Sequence, residues 1–311
     1  MRIAILGGAG FIGSHLCDKL LARGDEIVAV DNYLTGRAAN LAHLRNEARF
    51  KLLEWDVCQP IPLVGPLGAV FNLASPASPI DYARLPLETL DVGSLGTRNG
   101  LELARRAGAV FVQASTSEIY GDPLEHPQRE SYFGNVNTIG PRACYDEAKR
   151  FSEALITSFG RVYQTPYRIA RIFNTYGPRM RKDDGRVVPA FVNQALAGED
   201  FTVFGDGTQT RSFCYVDDLV AGLIALLEKG DSRPVNLGNP RELTLLELAD
   251  IVRGIAGGGG KVVSTRPLPE NDPRQRKPDI SRAKELLGWE PRVGLEQGLA
   301  PTIAWWRLAG N

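Results

Sequence analysis

Over the first half of the chain, short apolar runs alternate with stretches whose apolar residues recur every three or four positions. Met1 to Leu6 is an apolar run ending in the turn Gly7-Gly8-Ala9-Gly10-Phe11-Ile12-Gly13, and Ser14 to Arg23 follows with helical spacing at Leu16, Leu20 and Leu21. The same reading predicts strands at Glu26–Val30, Arg49–Glu54 and Ala69–Leu73, then a helix over Leu87–Ala107. A strand at Ala109–Ser115, a helix over Cys144–Phe159 and a strand at Tyr167–Phe173 complete the series. Strands alternating with helices imply a doubly wound α/β fold, a parallel sheet with helices on both faces.

After Gly177-Pro178 the pattern changes. Glycine, proline and charge rise through Arg179–Arg186, and helices are expected at Pro189–Ala197, Val216–Leu227, Leu245–Ile255 and Ser281–Leu287. The four glycines Gly257–Gly260 read as a flexible structural loop, and Pro267–Pro278 as an ordered loop or a lid. The expected division is a nucleotide-binding domain over 1–176 plus about 215–239, with a smaller C-terminal α/β substrate lobe over 177–214 and 240–311.

Composition narrows the function classes. With 36 basic and 36 acidic residues in 311, the chain has no net pull towards nucleic acid or membrane. Its short basic runs do not make a continuous nucleic-acid track. The four cysteines lack metal-ligand spacing, so no metal site is expected, and they read as reduced thiols of a cytoplasmic protein. No apolar run reaches the length of a membrane span.

The glycine run has GxxGxxG spacing, follows a strand and precedes a helix, and an acidic residue, Asp31, lies 18 positions after Gly13. Glycine permits the tight turn and lets backbone N–H groups approach a pyrophosphate at a helix N-terminus. Asp31, at the end of the second strand, can accept from both hydroxyls of an adenosine ribose and would repel a 2′-phosphate, so NAD is favoured over NADP in a Rossmann-type fold. An ordinary strand-end turn is the plain alternative for Asp31 taken alone. The expected cofactor set is Gly7, Gly10, Phe11, Ile12 and Gly13 in the turn, with Asp31, Asn32, Thr35 and Gly36 beyond the second strand. Asp56 and Val57 follow the third strand, and Leu73, Ala74 and Ser75 end the fourth.

Tyr145 and Lys149 stand four apart on a predicted helix and so share a face. An ammonium beside a phenol lowers the phenol pKa, which makes a base, and the lysine can also hold the nicotinamide ribose. A surface pair is the bland reading of this spacing. Ser115-Thr116-Ser117-Glu118 leaves the fifth strand at the carboxyl end, where open parallel sheets bind ligands, and a hydroxyl there can bond the alcohol being oxidised.

These residues resemble the extended short-chain dehydrogenase/reductase family and, within it, the UDP-glucuronate decarboxylase (UDP-xylose synthase) branch, over nearly the whole chain. The stretches carrying the resemblance include Leu73-Ala-Ser-Pro-Ala-Ser-Pro79, Ala114-Ser-Thr-Ser-Glu-Ile-Tyr-Gly-Asp-Pro123 and Gly140-Pro-Arg-Ala-Cys-Tyr-Asp-Glu-Ala-Lys-Arg150. Further on come Arg171-Ile-Phe-Asn-Thr-Tyr-Gly-Pro-Arg-Met180, Gly207-Thr-Gln-Thr-Arg-Ser-Phe213 and Arg276-Lys-Pro-Asp-Ile280. The resemblance implies Thr116 as the active-site hydroxyl, Tyr145 as base and Lys149 as its partner, with Glu118 and Arg211 serving decarboxylation. It implies Asn174 and Arg276 at the UDP diphosphate, Val203 and Phe204 near the uracil, and Thr175 and Arg186 near NAD. Tyr82 would close over the sugar, and Ser117 would suit a substrate carboxylate.

The implied reaction oxidises C4 of UDP-glucuronate with a recycled NAD, loses CO2 from the 4-ketone and reduces C4 again to give UDP-xylose. The chain departs from the family pattern at Asp91-Val92-Gly93, where Lys-Thr-Asn is usual, at Asn72, where histidine is common, and at Val188-Pro189-Ala190, where Val-Ser-Asn is usual. Release of a UDP-4-keto-pentose is therefore a second expected outcome. Rival readings are a nucleotide-sugar 4,6-dehydratase, a 4-epimerase, or a non-catalytic NAD-binding regulatory protein. The resemblance also implies a homodimer through Leu87–Ala107 and Cys144–Phe159.

Overall fold

The computed structural model of the chain describes residues 1–267 and 275–308. Six strands precede residue 173: β1 (Arg2–Leu6), β2 (Glu26–Asp31), β3 (Phe50–Glu54), β4 (Ala69–Asn72), β5 (Val110–Thr116) and β6 (Tyr167–Ile172). With β11 (Val235–Leu237) they form a seven-stranded sheet in the order β11-β6-β5-β4-β1-β2-β3, parallel throughout. Alternation along each strand feeds two apolar layers. Ile3, Ile5, Ile27 and Ala29 face one layer, and Ala4, Leu6, Val28 and Val30 the other. The order reverses between β1 and β4, and the crevice at their carboxyl ends is where such sheets bind ligands.

Nine α-helices surround the sheet among the described residues: α1 (Phe11–Ala22), α2 (Pro79–Arg84), α3 (Pro86–Asp91), α4 (Thr97–Ala107), α5 (Ala143–Tyr163), α6 (Val187–Ala197), α7 (Val216–Lys229), α8 (Leu245–Ala256) and α9 (Leu295–Leu308). α4 and α5 bury Leu101, Ala104, Ile156 and Phe159 on one side of the sheet. On the other side α1 and α7 pack into a core that continues without a break into α6, α8 and α9, through Phe191, Leu248 and Trp306. Small strand pairs complete this part: β7 (Thr175–Tyr176) with β10 (Cys214–Tyr215), β8 (Phe201–Phe204) with β13 (Val262–Arg266), and β9 (Thr210–Ser212) with β12 (Glu242–Thr244).

Several elements differ from the periodicity reading, each for a local reason. α1 begins inside the glycine run because Gly10, extended at φ −72° and ψ 176°, caps it without a side chain. The helix expected over Leu87–Ala107 is interrupted by a π-helical turn at Val92–Gly96. There Gly93 abuts α5, where a Cβ would lie 2.6 Å from that of Ala148, and Gly96 abuts Val57. A π turn inserts one extra residue, which lets both glycines face their partners. α5 runs past Phe159 to Tyr163, and Gly160 within it makes room for the Tyr167 ring. Ser281–Leu287, expected as an α-helix, closes in a π turn over Ala283–Leu287. α9 was not expected, since Gly298 and Pro301 interrupt its pattern, yet Gly298 lets Tyr176 pack against the helix. The four-glycine run is tied down: Gly257 caps α8 in the left-handed region and the Gly260 N–H donates to Glu199 O at 2.8 Å. Most of Pro267–Pro278 lies outside the described residues, and its end bridges at Pro278 to Gln128.

Candidate active site

A cavity of about 620 Å³ opens at the carboxyl ends of β1, β4, β5 and β6 and runs on to β8 and β9. At its nucleotide end the turn after β1 can only be built from glycine. A Cβ on Gly13 would lie 2.2 Å from Gly7 O, and one on Gly7 would lie 2.7 Å from Ala74 N. The result is a bare α1 N-terminus with no acidic residue in its first turn, which suits a pyrophosphate. Beneath the turn Asp31 is buried, its carboxylate accepting from Ala9 N–H and Tyr33 N–H, each at 2.9 Å. Burial raises its pKa, and the two N–H donors work against that rise. Gly36 passes so close that a Cβ would lie 2.7 Å from the Asp31 carboxylate. These features fit an adenosine ribose and pyrophosphate, so the chain's own geometry accommodates NAD.

Of the expected cofactor residues, Gly7, Gly10, Phe11, Ile12, Gly13, Thr35, Leu73 and Ser75 line the cavity, as do Thr175 and Arg186 further on. The remainder stand behind or beside that wall. Asn32 is exposed and accepts from Leu34 N–H, Asp56 is exposed and accepts from Cys58 N–H, and Val57 is buried under α4. Ala74 presents its backbone to Gly7.

At the centre, β5 delivers Thr116 and α5 delivers Tyr145 and Lys149. The Thr116 hydroxyl accepts from Glu118 N–H at 3.2 Å and stands close enough to the Tyr145 phenol to favour its ionised form. Lys149 Nζ donates to Ala114 O at 2.9 Å and lies 5.8 Å from the Tyr145 ring centre. Burial lowers its pKa to about 8. Burial also pushes the Tyr145 phenol up to about 12, against the lowering by the Thr116 hydroxyl. The sequence reading gave Lys149 the main lowering influence on the phenol. In the structure the lysine is turned to a backbone carbonyl, and Thr116 is the leading group acting in that direction.

Tyr82, Ser117, Glu118, Asn174, Val203, Phe204, Arg211 and Arg276 all line the same cavity. Glu118 sits among guanidinium groups: Arg276 Nη1 at 2.6 Å and Nη2 at 2.8 Å, and Arg142 Nη2 at 2.7 Å. Burial opposes its ionisation, but Arg276, then Arg142, hold the carboxyl well below its usual range. The Tyr82 ring stacks on Tyr145 with centres 5.2 Å apart, and its buried hydroxyl has no hydrogen-bond partner among the described residues.

The sequence reading missed Arg142, although it lies in one of the stretches that carry the resemblance. A cation just ahead of a helix N-terminus works against the helix dipole, which was a signal that it answers to a nearby anion. It also missed Asp81 and Arg181, which meet across the cavity and carry no motif. Asp91, Val92 and Gly93 do not form the cavity wall; Asp91 is exposed at the end of α3. Asn72, buried, donates from Nδ2 to Gln113 at 3.0 Å behind the site. Pro189 and Ala190 do line it. Among the described residues there is no cluster of three or more His, Cys, Asp or Glu suited to a metal, and no helix long and apolar enough to cross a membrane.

Fold and cavity together define a nucleotide-binding α/β enzyme class, and the chain belongs to the NAD dependent epimerase/dehydratase family, whose profile matches residues 3–238. Within that family it is 52% identical to UDP-glucuronic acid decarboxylase 1 of Arabidopsis thaliana, over 98% of this chain and 69% of that protein. It is 51% identical to UDP-glucuronic acid decarboxylase 1 of Xenopus tropicalis, over 98% of this chain and 72% of the relative. Among solved structures it resembles the Bacillus cereus UDP-glucuronic acid 4-epimerase in complex with UDP-glucuronic acid and NAD. That likeness has a TM-score of 0.89 and 28% identity, and covers 100% of each chain.

Proposed function

We propose that the protein is an NAD-dependent UDP-glucuronate decarboxylase that forms UDP-xylose. The observation carrying this reading is the arginine cluster around Glu118, set in one cavity with the Thr116–Tyr145 pair. Chemistry at a sugar C4 hydroxyl needs only the pair. Guanidinium groups at the same end suit a substrate that brings both a diphosphate and a carboxylate. The names of the relatives at 51–52% identity support the same substrate.

The roles divide as follows. The turn from Gly7 to Gly13 and Asp31 hold the pyrophosphate and ribose of NAD, and Lys149 and Tyr145 face the nicotinamide end. Bound there, NAD would supply the hydride acceptor for C4 and, once reduced, the hydride donor. Tyr145 takes the C4 hydroxyl proton while Thr116 orients that hydroxyl. The resulting ketone lies β to the C6 carboxylate, so CO2 leaves into an electron sink and no metal is required. Glu118 stays ionised at neutral pH and fixes Arg276 and Arg142 where they offset the substrate's negative charge. Asn174 serves the diphosphate, Val203 and Phe204 the uracil, and Ser117, Arg211 and Tyr82 the sugar and its carboxylate. In this reading, residues 1–176 with about 215–239 hold NAD, and 177–214 with 240–311 hold the UDP-sugar.

The test is incubation of the purified protein with UDP-glucuronate and NAD⁺, following nucleotide-sugar mass and NADH absorbance together. Loss of one CO2 per sugar without net NADH is expected. The same loss with steady NADH would mean that UDP-4-keto-pentose is released. An unchanged mass would overturn the reading in favour of an epimerase or dehydratase, with UDP-glucose and dTDP-glucose as the next substrates.

The same reading includes a homodimer in the cytoplasm. Leu87, Leu90 and Leu95, on α3 and the π turn, and Phe151 on α5 are between 40% and 71% exposed on adjoining helices, an apolar face of the kind a second copy covers. The four cysteines are unpaired, as a reducing compartment keeps them.

A further inference from the structure

Between β7 and α6, residues 178–186 pass from one side of the nucleotide cavity to the other. On the α1 side, Arg179 Nη2 donates to Asp18 Oδ2 at 2.7 Å, and Asp183 meets Arg37 at 3.4 Å. On the α2 side, Arg181 Nη2 donates to both oxygens of Asp81, at 2.8 and 2.7 Å. Gly185 rides on Ile80 there, so close that a Cβ would lie 2.5 Å from its side chain. Asp81 and Arg181 both line the cavity.

The Asp81 end of this pair is built to stay in place. Ser78 caps α2, donating to Asp81 Oδ2 at 2.7 Å and accepting from Asp81 N–H at 3.2 Å. The two side chains are only 6% and 16% exposed, so salt screens them less than a surface pair. The other charges facing them are weaker partners: Arg84 lies 3.6 Å from Asp81 and is 65% exposed, and Asp183 lies 3.4 Å from Arg181 and is 74% exposed. The residue after Asp81 is Tyr82, stacked on Tyr145. One ion pair thus joins the crossing segment to the short helix that carries Tyr82.

We infer that the Asp81–Arg181 ion pair is a latch that slows exchange of NAD, so that one cofactor molecule stays bound through both hydride transfers. The inference rests on the NAD-recycling reading above. Asp81 and Arg181 are positioning residues: they act through the segment they join, and freeing either side lets residues 178–186 move away from the cavity. A latch changes how long NAD stays and leaves the chemistry of the loaded site alone.

The experiment measures release of bound NAD from the purified protein into excess competing nucleotide, without any sugar nucleotide, so its outcome does not depend on UDP-glucuronate being the substrate. Asp81→Asn and Arg181→Gln are each expected to speed release about tenfold, equivalent to about 1.4 kcal/mol. The double variant should be no faster than the faster single, because the two changes remove the same contact. With saturating NAD⁺, kcat on UDP-glucuronate should stay within about twofold of the parent, while Tm should fall, because one buried charge is left without its partner. Asp183→Asn is the control and should release NAD at the parent rate. Unchanged release in the single variants, or multiplicative effects in the double, would overturn the latch. Should Asp81→Asn fail to fold, Arg181→Gln decides alone, since it leaves the Ser78 cap of α2 intact.

Discussion

Replacing Lys149 with methionine should exchange activity for stability, and the site sets both sizes. Burial depresses the lysine pKa from 10.5 to about 8. At about 1.36 kcal/mol per unit, holding this ammonium in the folded protein costs about 3 kcal/mol at neutral pH. Methionine keeps most of the stem and carries no charge. It forfeits the bond to Ala114 O, worth about 1 kcal/mol, but that carbonyl still accepts from Gln113 Nε2 at 3.2 Å. The net gain is about 2 kcal/mol at pH 7. The sign follows from linkage. Between the folded pKa of about 8 and the unfolded 10.5 the native protein binds fewer protons than the unfolded chain, so parent stability rises with pH there. The advantage of Lys149→Met is therefore full below pH 8 and gone by about pH 10. Urea unfolding of the NAD-free protein at pH 7 and at about pH 10 measures it, while kcat on UDP-glucuronate should fall about 10²- to 10⁴-fold. A variant less stable than the parent at pH 7, or an equal gain at both pH values, would refute the argument.

Other expected outcomes follow from the same site. Tyr145→Phe should lower kcat by about 10²- to 10⁴-fold, with an unfolding midpoint close to the parent because the stack on Tyr82 is kept. Glu118→Gln should lose about 2–4 kcal/mol at pH 7, since Arg276 and Arg142 are left desolvated beside a neutral group. The Glu118 pKa is depressed, so its contribution is present above the unfolded value of 4.5 and fades as pH falls towards about 2; the gap between parent and variant urea midpoints should narrow from pH 7 to about pH 3. Gly13→Ala places a Cβ 2.2 Å from Gly7 O, and the protein should then purify without NAD, measured on the acid-released nucleotide.

What could be read from the sequence was what is encoded locally. The glycine turn, Asp31, and the Tyr145–Lys149 spacing depend on neighbours a few positions away, and the structure brings the Tyr145–Lys149 face and Thr116 together at the end of β5. Elements shaped by distant partners were harder to read. The π turn at Val92–Gly96 exists because Gly93 must approach Ala148 and Gly96 must approach Val57, contacts that no periodicity encodes. α9 looks broken in sequence because its Gly298 answers to Tyr176, more than a hundred residues earlier. β11 is three residues long and becomes a strand only by pairing with β6. Ion pairs were the least legible part. Arg142 with Glu118, and Arg181 with Asp81, join residues 24 and 100 positions apart, and charge type alone does not choose among so many candidate partners.

The continuous core beneath α1, α7, α6, α8 and α9 has a consequence for how the chain matures. Domains form in order as a chain is synthesised, with the N-terminal parts emerging first. Here the segment that crosses the nucleotide cavity and the strand before it are tied to α9, the last described helix: Trp306 Nε1 donates to Met180 O at 3.1 Å, and Tyr176 Oη donates to Leu295 O at 3.0 Å. The sheet, its glycine turn and the ion pairs that tie residues 178–186 to α1 and α2 can assemble early on the ribosome, but the bond to Met180 must wait for α9. The crossing segment therefore receives its last support from the final described helix, so the cofactor side of the cavity is completed late in synthesis.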